Sequence, residues 1–101
     1  MDTLTYRMAE TWVDGGRPLE ALEMLEPRAD ELRESFAGTL LLGRAYYRSA
    51  QLRKAEKELG RAVELAPADS YARYLLGRAL PRQSRHADAL HADQQAGLFI
   101  R

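Results

Sequence analysis

The residues best suited to acid–base or metal chemistry are few and poorly placed for it. His86 and His91 lie five positions apart, which turns them about 140° off a shared helical face, and Asp88 adds only one further ligand. Glu10 and Asp14 lie one helical turn apart, but no nucleophile, glycine-rich phosphate loop or triad accompanies them. We therefore predict no catalytic site, no metal site and no bound cofactor.

Arginine and tyrosine form a second set of chemically useful residues, and their spacing is regular. Side chains four positions apart share one stripe of a helix. Stripes of this kind recur at intervals of 34 residues, in rows of Tyr6, Leu40 and Tyr74, of Glu10, Arg44 and Arg78, and of Asp14, Arg48 and Arg82. Arginine pairs bidentately with carboxylates or phosphates, and tyrosine adds apolar contact with little loss of entropy. Such rows favour an extended acidic peptide as the ligand.

Helical periodicity predicts the elements that carry these rows. The stretch 35–67 has apolar and small residues at helical spacing on both sides of a break near residues 49–51. It predicts two antiparallel helices, the second of which ends at Pro67 because proline lacks an N–H. Ser35 and Asp69 precede the first helices of the second and third units and are predicted to cap them.

A first helix is expected from about Thr3 to Val13, with Leu4, Met8, Trp12 and also Val13 facing inward. It is followed by glycines, which tolerate the positive φ of a tight turn.

Prolines mark the ends of several helices. Pro18 suits the first turn of the second helix, and Pro27 should distort the end of that helix. Pro81 predicts a kink or an early stop in the third unit, before a weakly patterned last helix at about 85–97. The acidic residues between Glu20 and Glu34 are interpreted as a solvated outer face.

The chain repeats itself with a period of 34 residues, which divides it into three units at about 2–35, 36–69 and 70–101. The aligned pairs include Leu42 with Leu76, Gly43 with Gly77, Ala45 with Ala79, Ala55 with Ala89, Met8 with Leu42 and Trp12 with Tyr46.

The middle unit resembles the tetratricopeptide repeat family. The family pattern is carried by Leu42, Gly43, Tyr46, Ala55, Leu59, Ala62 and Pro67. The resemblance implies an all-α fold: a right-handed superhelical array of three helix-turn-helix repeats, with a degenerate last repeat, in one domain over residues 1–101. Small Gly43 and Ala55 allow the two helices to approach closely, and each unit buries its remaining face by stacking on a neighbour.

Members of this family bind peptides in a concave groove lined by the first helices of successive units, so the resemblance places the arginine and tyrosine rows there. The predicted peptide-binding residues are Tyr6, Glu10, Arg44, Tyr47, Arg48, Tyr71, Tyr74, Arg78 and Arg82. Some members clamp a C-terminal carboxylate with lysine, asparagine and arginine, but the corresponding positions here carry other residues. The predicted function is that of an adaptor for a protein or peptide partner, without specificity for chaperone C-termini.

The acidic members of the rows allow another interpretation. Glu10 could pair with Arg44, and Asp14 with Arg48, across neighbouring helices. Arg78 and Arg82 have no acidic neighbour in register, which makes them the stronger binding candidates.

The C-terminal tail ends in the apolar residues Leu98, Phe99 and Ile100. These residues either fold back on the last unit or contact a second copy of the chain, so a homo-oligomer is the alternative function.

Charge and composition narrow the classes of function and the cellular locations that remain. The net charge is zero, but residues 1–35 hold nine acidic and four basic residues, and residues 70–101 hold two acidic and five basic ones. Nucleic-acid binding is therefore less favoured than protein binding. The chain contains no cysteine and no apolar run long enough to span a membrane, so a cytoplasmic location is expected.

Overall fold

The computed structural model describes residues 1–82, with side chains as far as Leu80, and this part of the chain is helical without any strand. The helices are α1 (Thr3–Asp14), α2 (Pro18–Leu25), α3 (Ala29–Leu32), α4 (Phe36–Arg48), α5 (Leu52–Leu65) and α6 (Ser70–Arg82). A single 3-10 turn over Glu26–Arg28 connects α2 to α3. The prediction of an all-α fold is confirmed.

In each of the three units, a side-chain cap fixes the start of the first helix: α1, α4 or α6. Ser35 Oγ accepts a hydrogen bond from Gly38 N at 3.0 Å, and Asp69 Oδ1 accepts one from Ala72 N at 2.9 Å, so both predicted caps are confirmed. A third cap was not predicted: Asp2 Oδ1 accepts a hydrogen bond from Thr5 N at 2.7 Å. This bond lowers the pKa of the Asp2 carboxyl.

The turns between paired helices repeat with the sequence period. Gly16 has φ of 80°, and Ala50, which lies 34 residues later, has φ of 61°. Both residues therefore adopt the left-handed conformation, which glycine accepts without strain and alanine does not.

Three of the four prolines act as predicted, and one of them is Pro67, which follows the end of α5 at Leu65. Pro18 is the first residue of α2, and Pro27 lies in the 3-10 turn that ends the regular part of that helix. α6 includes Pro81 and is described as far as Arg82, so the predicted kink or early stop in the third unit stays a prediction.

The helices pack in sequence order. α1 packs on α2, α2 on α4, α4 on α5, and α5 on α6, while the first helices α1, α4 and α6 also contact one another in turn. The core between them consists mainly of leucine and alanine, with Leu25, Leu41, Leu42 and Leu59 fully buried.

Close helix packing depends on two glycines of α4. A Cβ at Gly43 would lie 2.7 Å from Leu59 Cδ2 on α5, which confirms that this position must be small. A Cβ at Gly38 would lie 2.3 Å from the backbone oxygen of Leu32 on α3, a contact that the sequence analysis did not anticipate.

A buried ion pair joins the segment after α3 to α5. Glu58 is only 2% exposed, and both of its carboxylate oxygens accept hydrogen bonds from Arg33, the shortest at 2.7 Å from an Nη atom. This interaction with Glu58 raises the pKa of Arg33. The carboxylate is thereby kept in the interior, where an unpaired charge would be strongly unfavourable.

The prediction for the inner face of α1 is wrong at two positions. Leu4 is 70% exposed and Met8 is 43% exposed, whereas Ala9 and Val13 are buried. Trp12 packs against the core and Val13 lies in it, as predicted, so the inward face of α1 is shifted away from Leu4 and Met8 toward Ala9 and Val13.

No helix among residues 1–82 is both long and apolar enough to cross a membrane. The predicted last helix at 85–97 and the apolar tail of Leu98, Phe99 and Ile100 lie outside the described residues.

Candidate functional site

The first helices of the three units, α1, α4 and α6, contact one another in turn, and we call the side that carries their predicted binding residues the groove face. Cross-helix contacts hold this face together: Tyr6 Oη donates to the backbone oxygen of Ala37 at 3.1 Å, and Arg78 Nε donates to Tyr47 Oη at 3.3 Å. The groove face consists of Tyr6, Glu10 and Asp14 on α1, Leu40, Arg44, Tyr47 and Arg48 on α4, and Tyr71, Tyr74, Leu75 and Arg78 on α6.

The predicted ion pairs between α1 and α4 have the wrong register. Arg44 pairs with Asp14 through Nη2 and Oδ1, and not with Glu10, which shares its row. An arginine side chain is long enough to reach the neighbouring turn, about 5.4 Å along the helix. Asp14 therefore neutralises Arg44 and leaves Arg48 without the predicted partner.

Tyr6 and Glu10 form the α1 edge of the groove face. Tyr6 is half-buried, and burial, reinforced by the negative charge of Glu10, raises the pKa of its hydroxyl. Because its hydroxyl also bonds to the backbone of α4, Tyr6 has a structural role in docking α1 on α4 as well as a place on the face.

Arg78 and two tyrosines form a compact cluster at the α6 edge. The guanidinium carbon of Arg78 lies 5.7 Å from the centre of the Tyr74 ring, and Nη1 donates to Tyr74 Oη at 3.4 Å. The hydrogen bond to Tyr47 is the main cause of the raised pKa of Arg78. Arg78 takes part in none of the ion pairs of the described residues, so its charge is shared only with tyrosines.

An open cleft of about 210 Å³ lies between α4 and α6. Its lining consists of Arg44, Tyr47, Arg48, Tyr71 and Leu75. Four of these lining residues are among the predicted peptide-binding residues. The fifth, Leu75, lies one helical turn after Tyr71 and hence on the same stripe. The cleft combines an apolar interior with guanidinium groups at its edge.

Arg48 is exposed and forms no ion pair or hydrogen bond with another described side chain. Tyr71 is 47% exposed and Tyr74 is 57% exposed, so both can meet a ligand. The side chain of Arg82, another predicted binding residue, lies outside the described part of the chain.

A second apolar surface lies away from the groove face, on the outer side of α1. A shallow cavity of about 270 Å³ is lined there by Leu4, Arg7, Met8, Thr11 and Trp12. We call this surface the α1 outer face.

The acidic residues of α2 and α3 do not converge on a site. Among the described residues, no three histidine, aspartate or glutamate side chains are grouped closely enough to hold a metal ion.

Comparison with protein families agrees with this geometry. Residues 13–79, about two thirds of the chain, match the family described as "Tetratricopeptide repeat". The chain belongs to the tetratricopeptide repeat family. Tetratricopeptide repeats are non-catalytic modules that mediate contacts between proteins, so protein partners are expected for this tetratricopeptide repeat protein. Comparison with curated proteins and with solved structures gave no match.

Proposed function

We propose that this tetratricopeptide repeat protein is an adaptor that binds an extended, acidic segment of a partner protein along its groove face. One observation carries the proposal: an apolar cleft between α4 and α6 has two arginines in its lining, and no described residue contributes a carboxylate to that lining. A ligand that offers both carboxylates and apolar side chains complements such a surface.

The charge distribution favours a protein ligand over a nucleic acid. The net charge of the chain is zero, and Asp14 already neutralises Arg44 on the groove face. Nucleic-acid sites depend on clustered positive charge along the phosphate backbone. A short acidic segment needs only the one or two guanidinium groups that remain.

A binding assay with defined peptides tests the proposal. The probes are terminally blocked, fluorescein-labelled 12-residue peptides of glycine and serine that carry two phenylalanines and three glutamates. Matched probes have glutamine in place of glutamate. We expect the Arg48→Ala, Arg78→Ala double variant to weaken binding of the acidic probe by about tenfold or more, because the charge-assisted hydrogen bonds of Arg48 are lost and Arg78 no longer holds Tyr47 beside the cleft.

The Arg53→Ala, Lys57→Ala double variant provides a matched control. It removes the same charge from exposed positions of α5 that lie opposite the buried side of that helix. If both double variants lost the same affinity for the acidic probe, the loss would be explained by the change in net charge alone, and a groove site would be refuted.

Self-association is the second candidate function, and the α1 outer face favours it. Leu4 and Met8 expose apolar side chains on this face, and the terminal thirds of the chain carry opposite net charge. Two copies could therefore associate end to end, with the predicted tail contact at Leu98, Phe99 and Ile100.

Sedimentation of the full chain at micromolar concentration separates the two candidates. Self-association is supported if the unmodified chain sediments with the mass of an oligomer and a variant sediments as a monomer. The two variants are one in which Leu98, Phe99 and Ile100 are made polar, and Met8→Glu. A monomeric mass at all concentrations argues against self-association.

We further propose that residues 1–101 form one domain of three units, 2–35, 36–69 and 70–101, and that the protein works in the cytoplasm.

A further inference from the structure

The cleft between α4 and α6 is large enough for one side chain of a bound segment. An apolar protein cavity of about 150 Å³ can hold a benzene molecule. The volume of about 210 Å³ here accommodates one phenylalanine or leucine side chain. Tyr47, Tyr71 and Leu75 supply the apolar part of the lining, and Leu75 is buried.

The two arginines in the lining differ in what they can do for a ligand. Arg44 is largely buried and is engaged by Asp14. Arg48, one turn further along α4, is exposed and has no carboxylate partner among the described residues. A carboxylate that arrives with the ligand therefore finds an available guanidinium at Arg48 and a neutralised one at Arg44.

A third arginine, Arg78, contacts tyrosines beside the cleft. Arg78 donates from Nε to Tyr47 Oη at 3.3 Å and from Nη1 to Tyr74 Oη at 3.4 Å. These bonds hold Tyr47, a lining residue, against α6. Arg78 is thus a positioning residue, whereas Arg48 lies at the edge of the cleft.

We infer that this cleft selects a peptide segment in which a large apolar side chain lies two positions from an acidic one, the apolar side chain filling the cleft and the carboxylate pairing with Arg48. In an extended segment, residues two positions apart point to the same side and are separated by about 6.6 Å. Because Arg48 lines the same cleft as Tyr71 and Leu75, a carboxylate at that short separation from the apolar side chain can pair with it. The inference rests on the proposed function, because it assigns a ligand pattern to the same groove face.

A double-mutant cycle between protein and peptide tests the assignment. The probes are blocked nonapeptides of glycine and serine with a central Phe-Ser-Glu or Phe-Ser-Gln sequence, titrated into the full 15N-labelled chain and followed by amide chemical shifts. We expect Phe-Ser-Glu to bind the unmodified chain about tenfold more tightly than Phe-Ser-Gln. In Arg48→Ala that preference should disappear, while affinity for Phe-Ser-Gln stays the same.

Two further probes examine the spacing and the source of the carboxylate. A peptide with six residues between phenylalanine and glutamate should bind no better than the glutamine probe. A peptide that ends in a free α-carboxylate two positions after phenylalanine tests whether a chain end can replace the glutamate. A gain from either carboxylate supports the inference if the gain is lost in Arg48→Ala.

Arg53→Ala is the control variant, since it removes an exposed arginine from α5 and should keep the tenfold preference. Retention of that preference in Arg48→Ala, or equal binding of the widely spaced probe, would overturn the ligand pattern while leaving groove binding intact. If no acidic probe shifts the amides of α4 or α6, the proposed function fails together with the inference.

Discussion

The outer face of α1 and the equivalent face of α4 have the same sequence register but different environments. Met8 and Leu42 lie 34 residues apart, yet Met8 is 43% exposed and Leu42 is fully buried. The difference arises because α2 and α3 pack on α4, whereas no described helix packs on the outer side of α1. The burial of a repeat residue is therefore decided by the neighbouring helix as much as by the residue itself.

The sequence of α1 is partly adapted to this exposure. Where α4 has Leu41 and Ala45, α1 has Arg7 and Thr11. These two residues line the cavity on the α1 outer face and make part of it polar. Leu4 and Met8 remain apolar. The α1 outer face is therefore less polar than the outer face of a capping repeat and less apolar than a face buried between repeats.

The largest expected effect comes from truncating the two equivalent residues. Leu42→Ala should lower the free energy of unfolding by about 3 kcal/mol, because it leaves a cavity in a fully buried site. Met8→Ala should lower it by about 0.5 kcal/mol or less, as for other surface changes. Urea unfolding followed by circular dichroism measures both. If the two variants lost similar free energies of unfolding, the outer side of α1 would have to be covered in solution.

The helices that cover α4 are tied to α5 by the ion pair of Arg33 and Glu58. Arg33→Met should cost about 2 kcal/mol, somewhat less than a fully buried pair, because Arg33 is partly exposed. Arg33→Met combined with Glu58→Met should recover much of this loss, since no buried charge is then left unpaired. Thermal unfolding of the single and double variants gives the comparison. A double variant less stable than Arg33→Met would disprove this explanation.

Tyr46 and Trp12 occupy equivalent positions, but only Tyr46 titrates. Burial, together with a 2.7 Å hydrogen bond from its hydroxyl to Glu26 Oε2, raises the pKa of Tyr46 to about 12. Because the neutral hydroxyl is favoured in the folded state, this contribution is complete below about pH 10 and is lost as pH rises toward 12.

The stability of the unmodified chain should therefore fall more steeply between pH 10 and 12 than that of Tyr46→Phe, by at most about 3 kcal/mol. Urea midpoints across this pH range provide the measurement. Parallel curves for the two proteins would rule out Tyr46 as the source.

The smallest expected effect concerns the equivalent turns after α1 and α4. Ala50→Gly should stabilise the protein by about 0.5 to 1 kcal/mol, because alanine is strained at its left-handed φ. Gly16→Ala should destabilise it by a similar amount, about 1 kcal/mol. Differential scanning calorimetry resolves changes of this size. The same sign of change in both variants would show that the two turns are not equivalent.

Much of this architecture follows from the sequence because it depends on local chemistry. The start of α2 at Pro18 and the caps at Ser35 and Asp69 were predicted correctly, since proline and short polar side chains act within one turn. The small residue at Gly43 followed from the repeat pattern. These features require no knowledge of how helices are arranged in space.

The features that escaped prediction depend on neighbouring helices. Periodicity identifies the apolar side of α1, but it does not say that Leu4 and Met8 lack a covering helix. The pairing of Arg44 with Asp14 depends on how far an arginine reaches across a helix crossing. A glutamate such as Glu58 is expected on the surface from its residue type alone. Its burial is explained by its ion pair with Arg33, which lies 25 residues earlier.

The two apolar surfaces compete as sites for a ligand, and one measurement decides between them. An isotope-filtered NOESY spectrum of the labelled full chain with the unlabelled Phe-Ser-Glu nonapeptide reports which side chains contact the phenylalanine ring. We predict contacts from the ring to the Leu75 methyl groups and the Tyr71 ring in the cleft. Contacts to the methyl groups of Leu4 and Met8 instead would contradict a binding site on the groove face.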